Sequence, residues 1–188
     1  MSEISVDLLV AAPADAVWKV IGPGFARIGE WSTAVVTSTA VPRDAADTRV
    51  PAAGASAAGR VCDTGLRLVP RITETLVAYD DAARTLTYEA GGMPSFVTLA
   101  RNTWSVTPMD ETRCRVSLRA RFDTRGPLGL LGRWVILAQA RRAARHLAED
   151  LRHVAETGTP SPRKRRQLRA GRPAGPSATS PPCWRAEV

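Results

Sequence analysis

RCRVSLRARFD, residues 113–123, is the stretch of the chain with the clearest periodic pattern. One face of this stretch carries the apolar side chains, which are Val116, Leu118, Ala120 and Phe122. The other face carries the polar side chains, which are Arg115, Ser117, Arg119 and Arg121. A period of two is typical of a β-strand with one face on a core and the other in solvent. The stretch therefore predicts a strand of an antiparallel sheet with one apolar face.

Residues 127–157, which follow that strand, have the periodicity of one long helix. At about 100° per residue the apolar side chains cluster on one side of it, and they are Leu130, Leu137, Ala140, Ala144, Leu147, Leu151 and Val154. Gly158 and Pro160 are typical residues for ending such a helix. A sheet with one apolar face and a helix with one apolar side bury both by packing together.

The chain before residue 113 supplies further strands and two short helices. Residues 13–22 and 25–31 predict helices, and residues 42–58 predict a loop. The remaining strand-like segments are 3–10, 33–41, 60–65, 71–79, 84–91 and 96–107. Together they predict an α+β fold of the helix-grip class: a curved antiparallel sheet of about seven strands wrapped around the long C-terminal helix, with two short helices after strand 1.

The positive charge of the chain lies mainly at its C-terminal end. The formal net charge is +8, but residues 158–188 contain seven Lys or Arg and one acid, which leaves 19 basic and 17 acidic residues in 1–157. The composition predicts a ligand-binding domain over 1–157 and a disordered basic Pro/Arg-rich tail over 158–188. No aromatic residues interleave the basic run 163–172, so we expect no specific nucleic-acid binding and at most a weak contact with an anionic surface.

Cysteine usage and the first residues favour a cytoplasmic protein. Cys62, Cys114 and Cys183 are odd in number and far apart, so they predict no disulfide framework. The N-terminal stretch has acids where a signal peptide carries Lys or Arg, and no apolar run reaches the length of a membrane span. Zinc-ligand spacing and phosphate-binding glycine loops are missing, and both histidines fall on the solvated side of the long helix. We therefore expect no metal and no cofactor.

The order of elements and several short words of sequence resemble the START/Bet v 1-like (SRPBCC) superfamily. The matching words are APADAVW at 12–18, Trp31 at the end of the second helix, ITETLVAYDDAARTLTYE at 72–89 and TWSVTP at 103–108. The polyketide cyclase/dehydrase and lipid-transport-like branch is the most similar. The resemblance implies an internal cavity for a small hydrophobic or amphipathic molecule, and it covers members that are carriers, receptors and enzymes. In the plant abscisic-acid receptors, which share the pattern, the cavity glutamate falls on Glu74.

Glu74 is the candidate anchor of that cavity. It shares parity with Ile72 and Leu76, which points its carboxylate to the apolar side of strand 71–79. An isolated buried carboxylate has a large desolvation penalty, so it needs a partner, and Arg101 is the expected cation. The alternative is that residues 73, 75, 77 and 79 face inward and Glu74 is solvated.

Other candidate ligand contacts come from the strands, the second helix and the long helix. Tyr88 alternates with Leu86 and Ala90, which places its hydroxyl inward. The expected ligand-binding residues are Trp31, Glu74, Tyr88, Arg101, Leu118, Ala120, Leu137 and Ala144.

Two uses of this cavity stay open, together with a third role for the tail. The first is a carrier or sensor of a lipid, polyketide or similar molecule. The second is a cyclase/dehydrase-type enzyme with Glu74 as general base and Arg101 or Tyr88 stabilising an oxyanion. The third is nucleic-acid or membrane-surface binding by the basic tail. The sequence is compatible with a monomer or a homodimer.

Overall fold

The computed structural model describes residues 2–43, 55–67 and 69–170, with the backbone alone for residues 127–137 and 139. Within these residues, seven strands form one antiparallel sheet in the order β1-β7-β6-β5-β4-β3-β2. The strands are β1 (Ser2–Val10), β2 (Thr37–Val41), β3 (Gly59–Asp63), β4 (Arg71–Asp80), β5 (Thr85–Gly91), β6 (Val97–Pro108) and β7 (Cys114–Thr124).

Four α-helices accompany the sheet in the described part of the chain. They are α1 (Ala14–Ile21), α2 (Ile28–Trp31), α3 (Gly126–Thr157) and α4 (Pro162–Ala170), and a 3-10 turn, Phe25–Arg27, precedes α2. Helix α3 ends at Gly158, whose φ of +69° is left-handed and whose N–H donates to the Val154 carbonyl at 2.8 Å. A glycine adopts this conformation without the Cβ penalty, as its place in the sequence predicts.

The core lies between the apolar face of the sheet and the helices. Leu76, Leu86, Trp104 and Val116 are buried on the sheet, and Leu151 of α3 packs in the same cluster. This arrangement confirms the helix-grip prediction, and most strand ends fall within two residues of the predicted ones. Local periodicity was sufficient for strands such as β7, whose residues alternate between the core and the solvent.

Strand β2 is shorter than the predicted strand 33–41, since it begins at Thr37. Side chains of the C-terminal helices form hydrogen bonds with the backbone groups that precede β2. The Thr33 N–H donates to Asp150 of α3 at 2.7 Å, and the Val35 carbonyl accepts from Lys164 of α4 at 2.6 Å. The loop predicted at 42–58 falls largely outside the described residues.

Helix α4 lies where the sequence predicts disorder, and for residues 162–170 that expectation is wrong. Lys164 holds the helix to the domain: it is fully buried, and besides Val35 its ammonium donates to the Gln167 side-chain oxygen at 2.9 Å and, at 3.4 Å, to the Val36 carbonyl. The composition of a basic run does not reveal that one of its cations has carbonyl partners elsewhere in the fold. Residues 171–188 lie outside the described residues, so disorder there stays a prediction.

Asp150 of α3 provides the second attachment of this segment. Its Oδ2 accepts from both the N–H and the hydroxyl of Thr33, at 2.7 and 2.6 Å, and its Oδ1 accepts from the Ser161 hydroxyl at 2.7 Å. Asp150 and Ser161 are both buried. Helix α3, the start of α4 and the segment before β2 are therefore joined by one hydrogen-bonded cluster.

None of the helices in the described ranges has a stretch that is both long and apolar enough to cross a lipid bilayer.

Candidate functional site

Glu74 points into the interior from β4, on the face that its parity with Leu76 predicts. It is 8% exposed and Leu76 is 1% exposed. The alternation changes after Leu76, where an irregularity in the pairing with β5 brings Tyr79 inward instead of Ala78. Even-numbered residues of β4 face inward as far as Leu76, and the odd-numbered Tyr79 faces inward after it. Glu74 lies in the first part, as the sequence argument predicts.

The cation beside Glu74 is Arg60. The two residues are directly opposite each other in the β3–β4 pairing, so their side chains leave the sheet on the same face. Arg60 is 3% exposed; its Nε donates to Glu74 Oε2 and its Nη1 donates to the Phe25 carbonyl. Burial, the largest single cause, disfavours the charged guanidinium, but Glu74 together with Tyr88 and Cys62 more than offsets it, and the pKa of Arg60 is raised overall. Arg60 and Glu74 therefore form a buried salt bridge.

Arg101, the cation expected from the sequence, lies on the outer face instead. It is opposite Glu89 in the β5–β6 pairing, and its Nε donates to Glu89 Oε1 at 3.0 Å. The side chain of Arg101 is 44% exposed. In β6 the inward residues are Ala100, Trp104 and Val106, so the half-buried Val97 and Leu99 that share parity with Arg101 were misleading. The expectation that Arg101 faces inward and pairs with Glu74 is wrong.

Aromatic rings enclose the guanidinium of Arg60. Its Cζ lies 3.9 Å from the centre of the Phe25 ring and 5.2 Å from the centre of the Tyr88 ring. The two rings are tilted at 57° with their centres 5.3 Å apart. Contacts of this kind stabilise a cation that has lost its water.

Tyr88 is inward, as predicted, and 3% exposed. Burial is the main cause that raises the pKa of its phenol, and the charge of Glu74 adds to this. Tyr88 is therefore a neutral O–H donor at physiological pH. The indole of Trp104 is a hydrogen-bonding neighbour of its hydroxyl.

Cys62 is a buried thiol beside the pair. Its Sγ lies 3.8 Å from Glu74 Oε2, and the residue is completely shielded from solvent. Burial, followed by the charge of Glu74, raises the pKa of Cys62 to about 12. Because the thiolate is the nucleophilic form, this cysteine is not suited to nucleophilic catalysis.

Trp31 is also buried, at 7% exposure, and its indole N–H has no hydrogen-bond partner among the described residues. Buried donors are nearly always paired in folded proteins. Trp31 therefore brings an unused donor to the core cluster that includes Phe25 and Tyr88.

The remaining predicted contact residues divide into three groups. Leu118 and Ala144 are buried in the same cluster as Tyr88. Ala120 is buried too, but it packs with Ile4 in a separate small cluster. The side chain of Leu137 lies outside the described residues.

The histidines and acids offer no metal centre in the described ranges, where no three His, Cys, Asp or Glu side chains converge. His146 is on the surface, with its Nδ1 at 3.2 Å from Arg163 and 3.5 Å from Glu149. These contacts place it among exposed charges, as its position on the helix predicts.

Sequence reasoning missed Arg60 and Phe25, which complete the site. Arg60 follows a loop rich in Ala, Gly and Pro and starts a short strand, where one Arg among many carries no distinguishing pattern. Only the pairing of Arg60 with Glu74 across two strands identifies it. Phe25 contributes a backbone carbonyl and a ring face, neither of which can be located from a single sequence.

A curved antiparallel sheet around one long helix defines the helix-grip class, and comparison with known proteins gives the family. The chain belongs to the family described as polyketide cyclase/dehydrase and lipid transport, whose profile matches residues 1–173. This confirms the superfamily resemblance inferred from the sequence words. A search of the curated proteins finds no match.

Solved structures with the same fold include enzymes and START proteins. The ZhuI aromatase/cyclase from Streptomyces sp. R1128 has a TM-score of 0.65 at 18% identity, over 82% of this chain and 93% of that one. A START superfamily protein from Mycobacterium smegmatis has a TM-score of 0.60 at 14% identity, over 84% of this chain and 99% of that one. At these identities the likeness concerns the fold alone.

The di-domain aromatase/cyclase BexL, from the BE-7585A biosynthetic pathway, is similar over part of its length. Its TM-score is 0.62 at 23% identity, and the match covers 81% of this chain and 46% of BexL. This chain therefore spans about half the length of that di-domain protein.

Proposed function

We propose that this protein binds a small hydrophobic or amphipathic molecule in an internal cavity between the sheet and α3, as a carrier or a sensor. The observation that carries the proposal is the incomplete hydrogen bonding of Arg60. A guanidinium has five N–H donors, and the described residues provide Arg60 with two acceptors, Glu74 Oε2 and the Phe25 carbonyl. Several N–H groups of this guanidinium therefore have no acceptor among the described residues.

The surroundings of Arg60 favour a ligand with one oxygen-bearing end. Phe25 and Tyr88 present ring faces to Arg60, and Trp31, Leu118 and Ala144 belong to the same buried apolar cluster as these rings. The indole N–H of Trp31 has no partner among the described residues. Binding sites for small molecules typically combine an apolar lining with a few placed polar groups. A carbonyl, phenol or carboxylate at Arg60, with an apolar body beyond it, fits this set of contacts.

The salt bridge itself supports a functional role over a purely structural one. Replacing a buried ion pair by apolar residues of similar volume is often neutral or stabilising, because desolvation offsets the attraction. The Arg60–Glu74 pair is therefore a weak source of stability. Orienting the guanidinium, with Glu74 fixing one edge and Phe25 another, is a better account of its presence in the core.

The experiment measures binding of a neutral apolar fluorescent probe that carries a carbonyl oxygen, Nile red, to the full chain. We expect about one probe per protomer under conditions where the protein is folded. Glu74→Gln removes the charge that orients Arg60 and should weaken binding by about 1–3 kcal/mol, the value of a charge-assisted hydrogen bond. The matched control is Glu89→Gln, because Glu89 pairs with Arg101 on the outer face of the same sheet.

Two results would contradict the proposal. Equal losses in the two variants would show that the probe does not contact the Arg60 site. Absence of probe binding by the folded wild type would show a solid interior and remove the cavity. If the probe does bind at the Arg60 site, mass spectrometry of small molecules that co-purify with the protein from its own host should identify the natural ligand.

A second candidate is a polyketide cyclase/dehydrase-type enzyme, favoured by the closeness of Arg60 and Tyr88. A guanidinium and a neutral phenol together would stabilise the oxyanion formed when a proton is removed next to a carbonyl. Glu74 would be the base through Oε1, since Oε2 is bound by Arg60. Tyr88→Phe would then slow cyclisation of a poly-β-keto thioester roughly 10²–10⁴-fold, whereas a carrier shows no turnover with either protein.

A further inference from the structure

Helix α4 has one side fixed to the domain. Lys164 is buried with its ammonium on the carbonyls of Val35 and Val36, and the amide of Gln167 donates to the Thr33 carbonyl at 3.4 Å. At about 100° per residue, positions 164 and 167 are neighbours on one side of the helix. The orientation of α4 on the domain is therefore set by these two residues.

The opposite side of α4 is strongly cationic. Its exposed side chains include four arginines, which are Arg163, Arg165, Arg166 and Arg169. Arg165 and Arg169 are one turn apart and point away from Lys164 and Gln167. The helix itself contains no acid. We call Arg165, Arg166, Arg169 and the neighbouring Leu168 the outer face of α4.

The charges of this outer face are not neutralised within the described residues. Some arginines on the sheet surface have acid partners, since Arg101 pairs with Glu89 and Arg121 with Glu3, whereas the exposed Arg115 and Arg119 have no ion pair among the described residues. On α4, Arg163 approaches Glu149 at 3.7 Å. Arg165, Arg166 and Arg169 have no such ion pair in the described part of the chain.

An apolar side chain lies at the edge of this cationic face. Leu168 is 39% exposed, and in the helical projection it lies between Lys164 and Arg165, about 60° from the latter. Clusters of basic residues on an amphipathic helix are typical of contact with anionic lipid headgroups, and an adjacent apolar side chain adds insertion into the interface. α4 has no aromatic residue on which a base could stack, which argues against single-stranded nucleic acid.

We propose that the outer face of α4 binds the surface of an anionic phospholipid membrane. Arg165, Arg166 and Arg169 contact phosphate groups, and Leu168 enters the interface beside Arg165. Because α4 is held on the domain by Lys164, the whole domain is positioned on the membrane by this contact. The proposal is independent of what the internal cavity holds.

The test is co-sedimentation of the full chain with lipid vesicles in low salt. One set of vesicles is pure phosphatidylcholine, and the other contains phosphatidylglycerol as about a third of its lipid. We expect wild type to bind the anionic set alone. Arg165→Glu with Arg169→Glu should lower the partition coefficient roughly tenfold or more, since each basic residue near an anionic surface contributes to attraction.

A matched variant separates a local contact from net charge. Arg115→Glu with Arg119→Glu changes two exposed arginines on β7 and alters the formal charge by the same amount. It should lower vesicle binding by less than about threefold. Equal losses in the two double variants, or no binding of wild type to anionic vesicles, would overturn the proposal.

Leu168→Ala distinguishes a membrane from a polynucleotide. It should weaken vesicle binding about threefold, because an apolar side chain no longer enters the interface, and leave the weak binding of duplex DNA unchanged. If instead DNA binds more tightly than the vesicles and Leu168→Ala affects neither, the partner of α4 is a nucleic acid and the lipid assignment is wrong.

Discussion

Two cations are buried among the residues that the structure describes, and they are compensated in different ways. Lys164 has three donors, and the three contacts of its ammonium go to acceptors of this same chain, which are Val35, Val36 and Gln167. Arg60 has five donors and bonds to two acceptors among the described residues. The donors of Lys164 are therefore all used within the chain, where they attach α4 to the domain. Arg60 has N–H groups without an acceptor among the described residues, and these can bind a ligand.

The charges near the two cations differ as well. Glu74 contacts Arg60 directly, and the pKa of Arg60 is raised although burial alone would lower it. Lys164 has mainly neutral carbonyl partners, so burial lowers the pKa of its ammonium, and the nearby Asp150 opposes this only in part. A direct carboxylate partner keeps a buried cation charged, and neutral acceptors do so less effectively. This comparison supports assigning ligand contact to Arg60 and attachment of α4 to Lys164.

The largest effect is expected from Arg60→Met. It leaves the carboxylate of Glu74 buried without its cation, which typically costs about 3–5 kcal/mol. The free energy of unfolding, measured by urea denaturation, should fall by that amount. The control is Arg101→Met, which removes an exposed pair and should change stability by less than about 1 kcal/mol.

A double variant tests the same pair if Arg60→Met alone does not fold. Arg60→Met combined with Glu74→Leu removes both charges and should recover most of the lost stability. A single Arg60 variant as stable as the wild type would contradict the buried salt bridge and the site built on it.

An intermediate effect is expected from Lys164→Met, which leaves the carbonyls of Val35 and Val36 buried without a donor. The free energy of unfolding should fall by about 1–3 kcal/mol. Arg165→Met, one residue along the helix and exposed, should stay within about 0.5 kcal/mol of the wild type. If the two variants unfold at the same urea concentration, α4 is not attached through Lys164.

Ending the chain at Gly158 extends this test to the sequence prediction of a disordered tail. The truncation removes Ser161 as well as Lys164, and leaves one oxygen of Asp150 without its donor. It should cost at least as much stability as Lys164→Met, whereas a disordered tail would make it neutral.

The smallest effect is a pH dependence that separates the two cations. Burial lowers the pKa of Lys164, so between its folded value and its unfolded value of about 10.4 the unfolded chain binds more protons. The free energy of unfolding of wild type relative to Lys164→Met should therefore rise as pH increases from 8 towards 10. The free energy of unfolding of wild type relative to Arg60→Met/Glu74→Leu should contain no pH-dependent contribution from Arg60. The reason is that the pKa of Arg60 is raised, so this residue stays charged. A flat difference for Lys164 would show an ordinary solvated lysine.

The candidate site was half predictable from the sequence. Glu74 and Tyr88 were placed inward by alternation with apolar neighbours, and both are buried. Arg101 was predicted to face inward because it alternates with the apolar Val97 and Leu99, but the inward face of β6 is the other one. The pairing of strands decides which face a residue takes where alternation is weak, and pairing is a long-range property.

The architecture, in contrast, was determined by local patterns along the chain. Alternation at 113–123, the helical periodicity of 127–157 and the left-handed glycine after it each act over a few residues, so the sequence alone predicted sheet, helix and helix end. Tertiary structure decided which cation accompanies Glu74, since Arg60 reaches it only through the β3–β4 register. It also decided that a basic run folds into α4, because Lys164 finds its acceptors at Val35 and Val36, more than a hundred residues earlier. Contacts between distant segments depend on the assembled fold, and no periodicity within either segment encodes them.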